Sequence, residues 1–263
     1  MPEIAPAVGP LPTTYAPPRP DFECPVCLEG VCFPLRREDD TYGLRTWMLC
    51  ECGTLFQPEG QKELPAKDRS AIYKGWEKDS QAWLDRATWL KQLYFPLIED
   101  MLLGRKVLEV RYGHSSSLDW MRDRGWLTAG IDDCPEADPG DHPGQNAAFL
   151  GMMPIAPFKK FDLIWLADSI QEDPHPALAL NKAMGLLERN GLLFVSAPDT
   201  SFLHRVSPKA YGHWDPVGNR LMMRGEAFAK LAEQAGFETV LLRKSASRCG
   251  FLHNAHHWIG RKR

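Results

Sequence analysis

From residue 105 onward, short apolar runs alternate with stretches of helical period. Residues 106–111 (KVLEVR) and 161–166 (FDLIWL) are nearly unbroken apolar runs of strand length, the pattern of strands buried on both faces. Residues 126–131 and 192–196 read the same way, the second closed by Pro198. Between them, residues 116–124, 176–187 and 225–235 carry helical spacing; the second helix is expected to end near Asn190-Gly191 and the third at Gly236. A strand over 237–243 follows. Residues 251–260 are expected to pair with it as a hairpin, an antiparallel finish at a sheet edge. Strands alternating with helices imply crossover connections. The expected fold is therefore α/β, a doubly wound and mostly parallel sheet over residues 104–263.

Three smaller units precede it. Residues 61–103 read as a helical connector, with Asp79 or Ser80 as cap and Trp83, Ala87, Leu90 and Tyr94 recurring at three- and four-residue spacing. Pro96 is expected to kink or interrupt it. Residues 21–60 form a compact cysteine-bearing unit with β-like runs at 30–35 and 42–49. Residues 1–20 hold seven of the 22 prolines, which excludes a helix or central strand there. That stretch reads as a disordered tail, or as an arm docking on a partner or on the protein's own surface.

Composition narrows the class. With 44% hydrophobic and 25% charged residues among 263, the chain can bury a sizeable core. A net charge of −3 provides no global basic field of the kind a general nucleic-acid binder presents. No apolar run reaches the roughly 18 residues that span a bilayer, and no secretory leader pattern opens the chain. A soluble, cytoplasmic protein without membrane partners is expected.

Five of the seven cysteines crowd into the first fifth of the chain. The arrangement is Cys24-x2-Cys27, then 22 residues, then Cys50-x-Cys52-Gly53. Two thiolates on a tight turn aim at one point, and two such turns supply the four soft ligands of a tetrahedral structural zinc. The C-x-C spacing strains the second turn, and Cys32 is an alternative ligand. Reduced cysteines packed in a small subdomain are the other reading.

The strand over 106–111 runs into Tyr112, Gly113 and His114, then into Ser115, Ser116 and Ser117 at a helix start. A nucleotide-type ligand binds outside the carboxyl ends of such strands, and a helix N-terminus there offers amide donors. About twenty residues on, Gly130-Ile131-Asp132-Asp133 ends the next strand on a carboxylate, at the spacing of a ribose-binding acid.

The series VLEV, GID, FDLIWLADSIQE, LLERNGLLFVSAP, HW and EAFAKLAEQAGFETV resembles a class I S-adenosylmethionine-dependent methyltransferase. With its CPVC knuckle, the chain is similar in style to small-molecule methyltransferases carrying an N-terminal zinc-ribbon segment. The resemblance implies S-adenosylmethionine as cofactor. It implies that Glu109 and Gly113 face the cofactor's methionine end, and that Asp132 takes the ribose hydroxyls with Asp133 as neighbour. By the same resemblance, Asp168 and Ser169 lie beside the methyl group, and His213 and Trp214 on the substrate side. His213, His204 and Asp168 are the candidate bases; each also has a plain structural reading, as lid packing, surface loop or turn cap.

Several positions depart from the family pattern. Arg111 and Ser115 stand where glycines let the backbone approach the cofactor, residues 149–153 hold no acid for the adenine amine, and Gln171-Glu172 replaces a common Glu-His pair. Two functions follow as alternatives: methyl transfer to a small molecule or metabolite, or an inactive methyltransferase-like scaffold that joins a protein assembly. The basic tail from Arg243 to Arg263 reads either as a local anion or nucleic-acid contact, or as a solvated edge hairpin whose charges discourage edge pairing. On a strand, His256 and His257 would point to opposite faces, which speaks against a shared metal.

Overall fold

The computed structural model describes residues 23–28, 31–40, 43–58, 80–110, 116–132, 143–146, 155, 158–173, 175–201, 220–245 and 255–263. The proline-rich arm and residues 61–79 of the connector lie outside the described residues.

The central sheet has seven strands in the order β10-β11-β8-β7-β4-β5-β6. These are β4 (Lys106–Val110), β5 (Leu127–Asp132), β6 (Gly144–Asn146), β7 (Phe161–Ala167), β8 (Leu187–Pro198), β10 (Phe237–Ser245) and β11 (Ala255–Lys262). β6, β5, β4, β7 and β8 pair in parallel, and β11 runs antiparallel to both β8 and β10. The fold is a doubly wound α/β architecture.

The period of two divides the apolar side chains between the two faces. Val107, Leu163, Trp165, Leu192, Phe194 and Ile259 face α1 (Ser80–Met101) and α2 (Ser116–Arg122). There Phe95 packs edge-on against Trp120 and Trp126, and Trp165 stacks on Phe194 with ring centroids 3.8 Å apart. Leu108, Ile131, Ile164, Leu193, Val195 and Trp258 face α3 (Pro176–Leu186) and α4 (Gly225–Gln234). α1 runs unbroken through Pro96, whose ring is exposed, because Tyr94, Phe95 and Ile98 anchor that turn in the core.

α3 ends at Leu186, earlier than the Asn-Gly pair suggests. Leu187 is buried and pairs with Phe161, so the chain is already extended there. Asn190 takes the left-handed conformation at φ 62°, one residue before Gly191.

The last strand corrects the expectation of an edge finish. β11 lies inside the sheet between β8 and β10, and its first six residues are buried. The edge belongs to β10. His256 and His257 do point to opposite faces, and both are buried. His257 Nδ1 meets the Tyr94 hydroxyl at 2.5 Å, and burial pushes Tyr94 up to about 12. His256 is fully enclosed beside Phe228, and neither ring nitrogen has a hydrogen-bond partner among the described residues. Burial pushes it down to about 4; Asp199 and Glu226 oppose that shift and Lys244 adds to it.

The folded state therefore binds fewer protons than the unfolded chain between the folded value of about 4 and the ordinary value of 6.5. This contribution to stability is complete above the ordinary value and is lost as pH falls toward 4. Urea denaturation is expected to show up to about 3 kcal/mol of acid-side loss from this residue, and His256→Leu should flatten that slope. An unchanged slope in the variant would assign the acid sensitivity to other groups.

A second sheet orders β1 (Cys32–Asp40), β2 (Gly43–Cys50), β3 (Leu55–Phe56) and β9 (Leu221–Met222), all antiparallel. β9 comes from the segment just before α4, so the α/β domain contributes a strand to the cysteine unit. Among the described residues, no helix is long and apolar enough to cross a membrane.

Candidate functional site

From β4 the chain winds to β5 and β6 on one side, then returns to place β7 on the other. The carboxyl ends of β4 and β7 thus flank a switch point, where open α/β sheets leave a crevice for ligands. Glu109 sits near the end of β4 and Asp132 ends β5; both carboxylates are buried. Glu109 pairs with Gly130, so strand alternation puts Asp132 on the same face as Glu109.

Glu109 does not face open space. Both of its carboxylate oxygens accept from Lys91 Nζ, at 2.9 and 3.0 Å. Lys91 is 1% exposed. Burial pushes the Lys91 ammonium below its ordinary value, and Glu109 opposes that shift. Sequence reasoning missed Lys91. The signal was present: Lys91, Tyr94, Phe95 and Ile98 stand at i, i+3, i+4 and i+7, which puts the lysine on the apolar stripe of α1.

Beyond β7, Asp168 adopts the left-handed conformation at φ 51°, a strained state for a non-glycine residue. Its amide donates to Ser196 O at 2.8 Å, and Ser196 Oγ donates to its carboxylate at 3.4 Å. The next turn buries Ser169 and Gln171, and Ser169 Oγ and Gln171 Oε1 have no hydrogen-bond partner among the described residues. Glu109, Asp132, Asp168 and Ser169 therefore all lie at the carboxyl ends of neighbouring strands. Gly113, Asp133, His213, His204, Arg111, Ser115 and residues 149–153 lie outside the described residues.

The cysteine unit meets this end of the sheet. Arg220 bridges the two: its amide donates to Gln171 O at 2.9 Å, and its carbonyl accepts from the Gln57 amide at 2.9 Å. Thr200 Oγ1, just past β8, donates to Gly53 O at 2.6 Å. Asp199 bridges to Met223.

Within that unit, the ligand atoms of Cys24, Cys27, Cys50 and Cys52 lie within 4.8 Å of one another. The first turn closes with the Leu28 amide on Cys24 O, and the second with the Gly53 amide on Cys50 O. Gly53 makes the C-x-C spacing workable by taking φ 85°. Cys24 and Cys52 sulfurs stand 3.7 Å apart, and Cys27 and Cys50 sulfurs 3.5 Å. Zinc–sulfur bonds of about 2.3 Å require tetrahedron edges of about 3.8 Å, so the donor set suits one zinc ion. Cys32, the alternative ligand, is buried opposite Cys50 and lies outside the cluster.

A family model described as a methyltransferase domain matches residues 84–242. Among solved structures, the chain is similar to a SAM-dependent methyltransferase, possible histamine N-methyltransferase, from Thermotoga maritima. The two share 16% identity and a TM-score of 0.54, over 73% of this chain and 99% of that one. It is also similar to the N-methyltransferase NodS from Bradyrhizobium japonicum in complex with S-adenosylhomocysteine, at 14% identity and TM-score 0.50, over 68% and 86% of the two chains. No curated protein matches the chain.

Proposed function

Because the chain belongs to the methyltransferase-domain family, we propose that it transfers a methyl group from S-adenosylmethionine to a small molecule. The observation that carries this reading is the buried Asp132 carboxylate at the end of β5, beside the switch point. It suits bidentate acceptance from ribose hydroxyls. Glu109, Gly113 and Asp133 complete the proposed cofactor side. When bound, the cofactor supplies an electrophilic sulfonium methyl. The protein's part is then to align the acceptor, exclude water and hold any acceptor proton. Ser169 Oγ and Gln171 Oε1, buried without partners among the described residues, are suited to orienting a polar acceptor. Asp168 and His213 are the proposed bases.

In the same reading, Cys24, Cys27, Cys50 and Cys52 hold a structural zinc ion. Four thiolates leave no open position for catalysis. The sulfur spacing supports this.

One observation favours the alternative, an inactive methyltransferase-like scaffold in a protein assembly. The Glu109 carboxylate is already neutralised by Lys91, so a ligand ammonium arriving there meets a charge that is taken.

Calorimetric titration with S-adenosylhomocysteine separates the two. Micromolar binding is expected, weakened at least about 30-fold in Asp132→Ala by loss of about 2 kcal/mol of charge-assisted hydrogen bonding. Absence of binding up to millimolar ligand leaves the scaffold reading in its place.

A further inference from the structure

We propose that Arg224 and Lys230 form a cationic clasp over the cysteine cluster, offsetting the charge of a tetrathiolate metal centre and so setting how tightly the metal is held. The inference rests on the zinc reading above and adds residues that no ligand motif contains.

A divalent ion held by four thiolates keeps roughly two negative charges, which are costly beside a protein interior unless something offsets them. A cleft of about 590 Å³ separates the cysteine turns from α4. Cys27 and Cys52 line one wall, and Arg224, Ala227, Lys230 and Gln234 line the other. Arg224 is the N-cap of α4, and Ala227, Lys230 and Gln234 follow it at three- and four-residue spacing, so one stripe of the helix borders the cleft that Cys27 and Cys52 also line.

The third cation of the cleft, Lys244, is engaged elsewhere. It meets Glu226 at 2.6 Å and Ser201 Oγ at 3.0 Å, and it stands 4.0 Å from Asp199. Glu226 also lines the cleft and feels Arg224, but its ion pair is with Lys244, which leaves Arg224 and Lys230 as the cleft's cations without a carboxylate at salt-bridge distance among the described residues.

Arg224 is also placed with some care. Its side chain lies directly over Gly53, the residue after Cys52; a Cβ there would sit 2.4 Å from Arg224 Nε and 2.9 Å from Cζ. Glycine is required at position 53 by its positive φ, and a larger residue there would also have to displace the Arg224 side chain. Helix α4 gains a direct electrostatic hold on the metal turn. Outer-shell partners of this kind typically alter metal affinity by 10–100-fold.

The test is zinc transfer from intact protein to a chromogenic chelator, with the metal content of each protein measured first. Arg224→Gln is expected to speed transfer about 10-fold, Lys230→Gln somewhat less, and the double variant more than either. Arg224→Lys should keep most of the retention, and the gap between wild type and Arg224→Gln should narrow at 1 M salt. Lys182→Gln on α3 should behave as wild type. Wild-type rates in both glutamine variants would overturn the clasp. So would fast transfer in Arg224→Lys as well, since the guanidinium would then matter by packing on Gly53 and not by charge. Wild-type protein that carries no zinc would instead overturn the metal reading itself.

Discussion

Lys91→Ala is expected to destabilise the protein by about 3–5 kcal/mol in urea denaturation, because it removes from the core the ammonium that both Glu109 oxygens accept from. Lys91 is 1% exposed and Glu109 4%, so water can solvate neither group in place. The same buried pair is weak evidence of net stabilisation. Replacing both members with apolar residues, as in Lys91→Met with Glu109→Leu, should recover most of the loss. A double-mutant cycle isolates the coupling. A ligand that brings its own ammonium should rescue the single variant, so S-adenosylhomocysteine is expected to raise the stability of Lys91→Ala more than that of wild type. A loss below about 1 kcal/mol would mean that the ammonium is solvated, and the account of α1 would fail.

Cys50→Ala is expected to abolish zinc binding and unfold the four-stranded sheet while leaving the seven-stranded one intact. Structural zinc contributes about 10–16 kcal/mol to small metal-folded units, comparable with or above the whole stability of a typical domain. The sheet a zinc ion would support there is small: β3 and β9 are two residues each, and the apolar contribution comes from a few side chains such as Val26, Met48 and Phe56. Hydrogen exchange should show lost protection at residues 43–58 and 220–224, with β4, β7 and β8 still protected. Cys32→Ala, outside the sulfur cluster, should retain one zinc per chain. If Cys50→Ala keeps its metal, or if β4 and β7 lose protection together with the small sheet, the two units are not organised as described.

The strands were legible where burial on both faces leaves an unbroken apolar run, as in KVLEV and FDLIWL; such runs need no periodicity to be recognised. β6 and β9 were not legible, since two or three residues carry no period and pair only because a neighbour offers a free edge. The four cysteines were legible from spacing alone, because a tight turn fixes where two sulfurs point. Which of five cysteines cluster was decided in three dimensions: the hairpin register sets Cys32 opposite Cys50, while the four-sulfur group forms from Cys24, Cys27, Cys50 and Cys52. Asp132 was legible from its distance after the first strand. Arg224 carried no signal, because its only sequence neighbours of note are the first turns of an ordinary amphipathic helix.

Local chemistry along the chain determined the alternation of strands and helices, the cysteine pairs and the strand-end acids, all of which depend on residues within a few positions of one another. Folding in three dimensions decided what those features meet: Lys91 on Glu109, β11 in the middle of the sheet, β9 lent to the cysteine unit, Arg224 across Gly53. Such contacts join positions 18 to more than 160 residues apart, and an ion pair, a ladder or a charge over a turn is set by the distance between partners, which spacing along the chain does not encode.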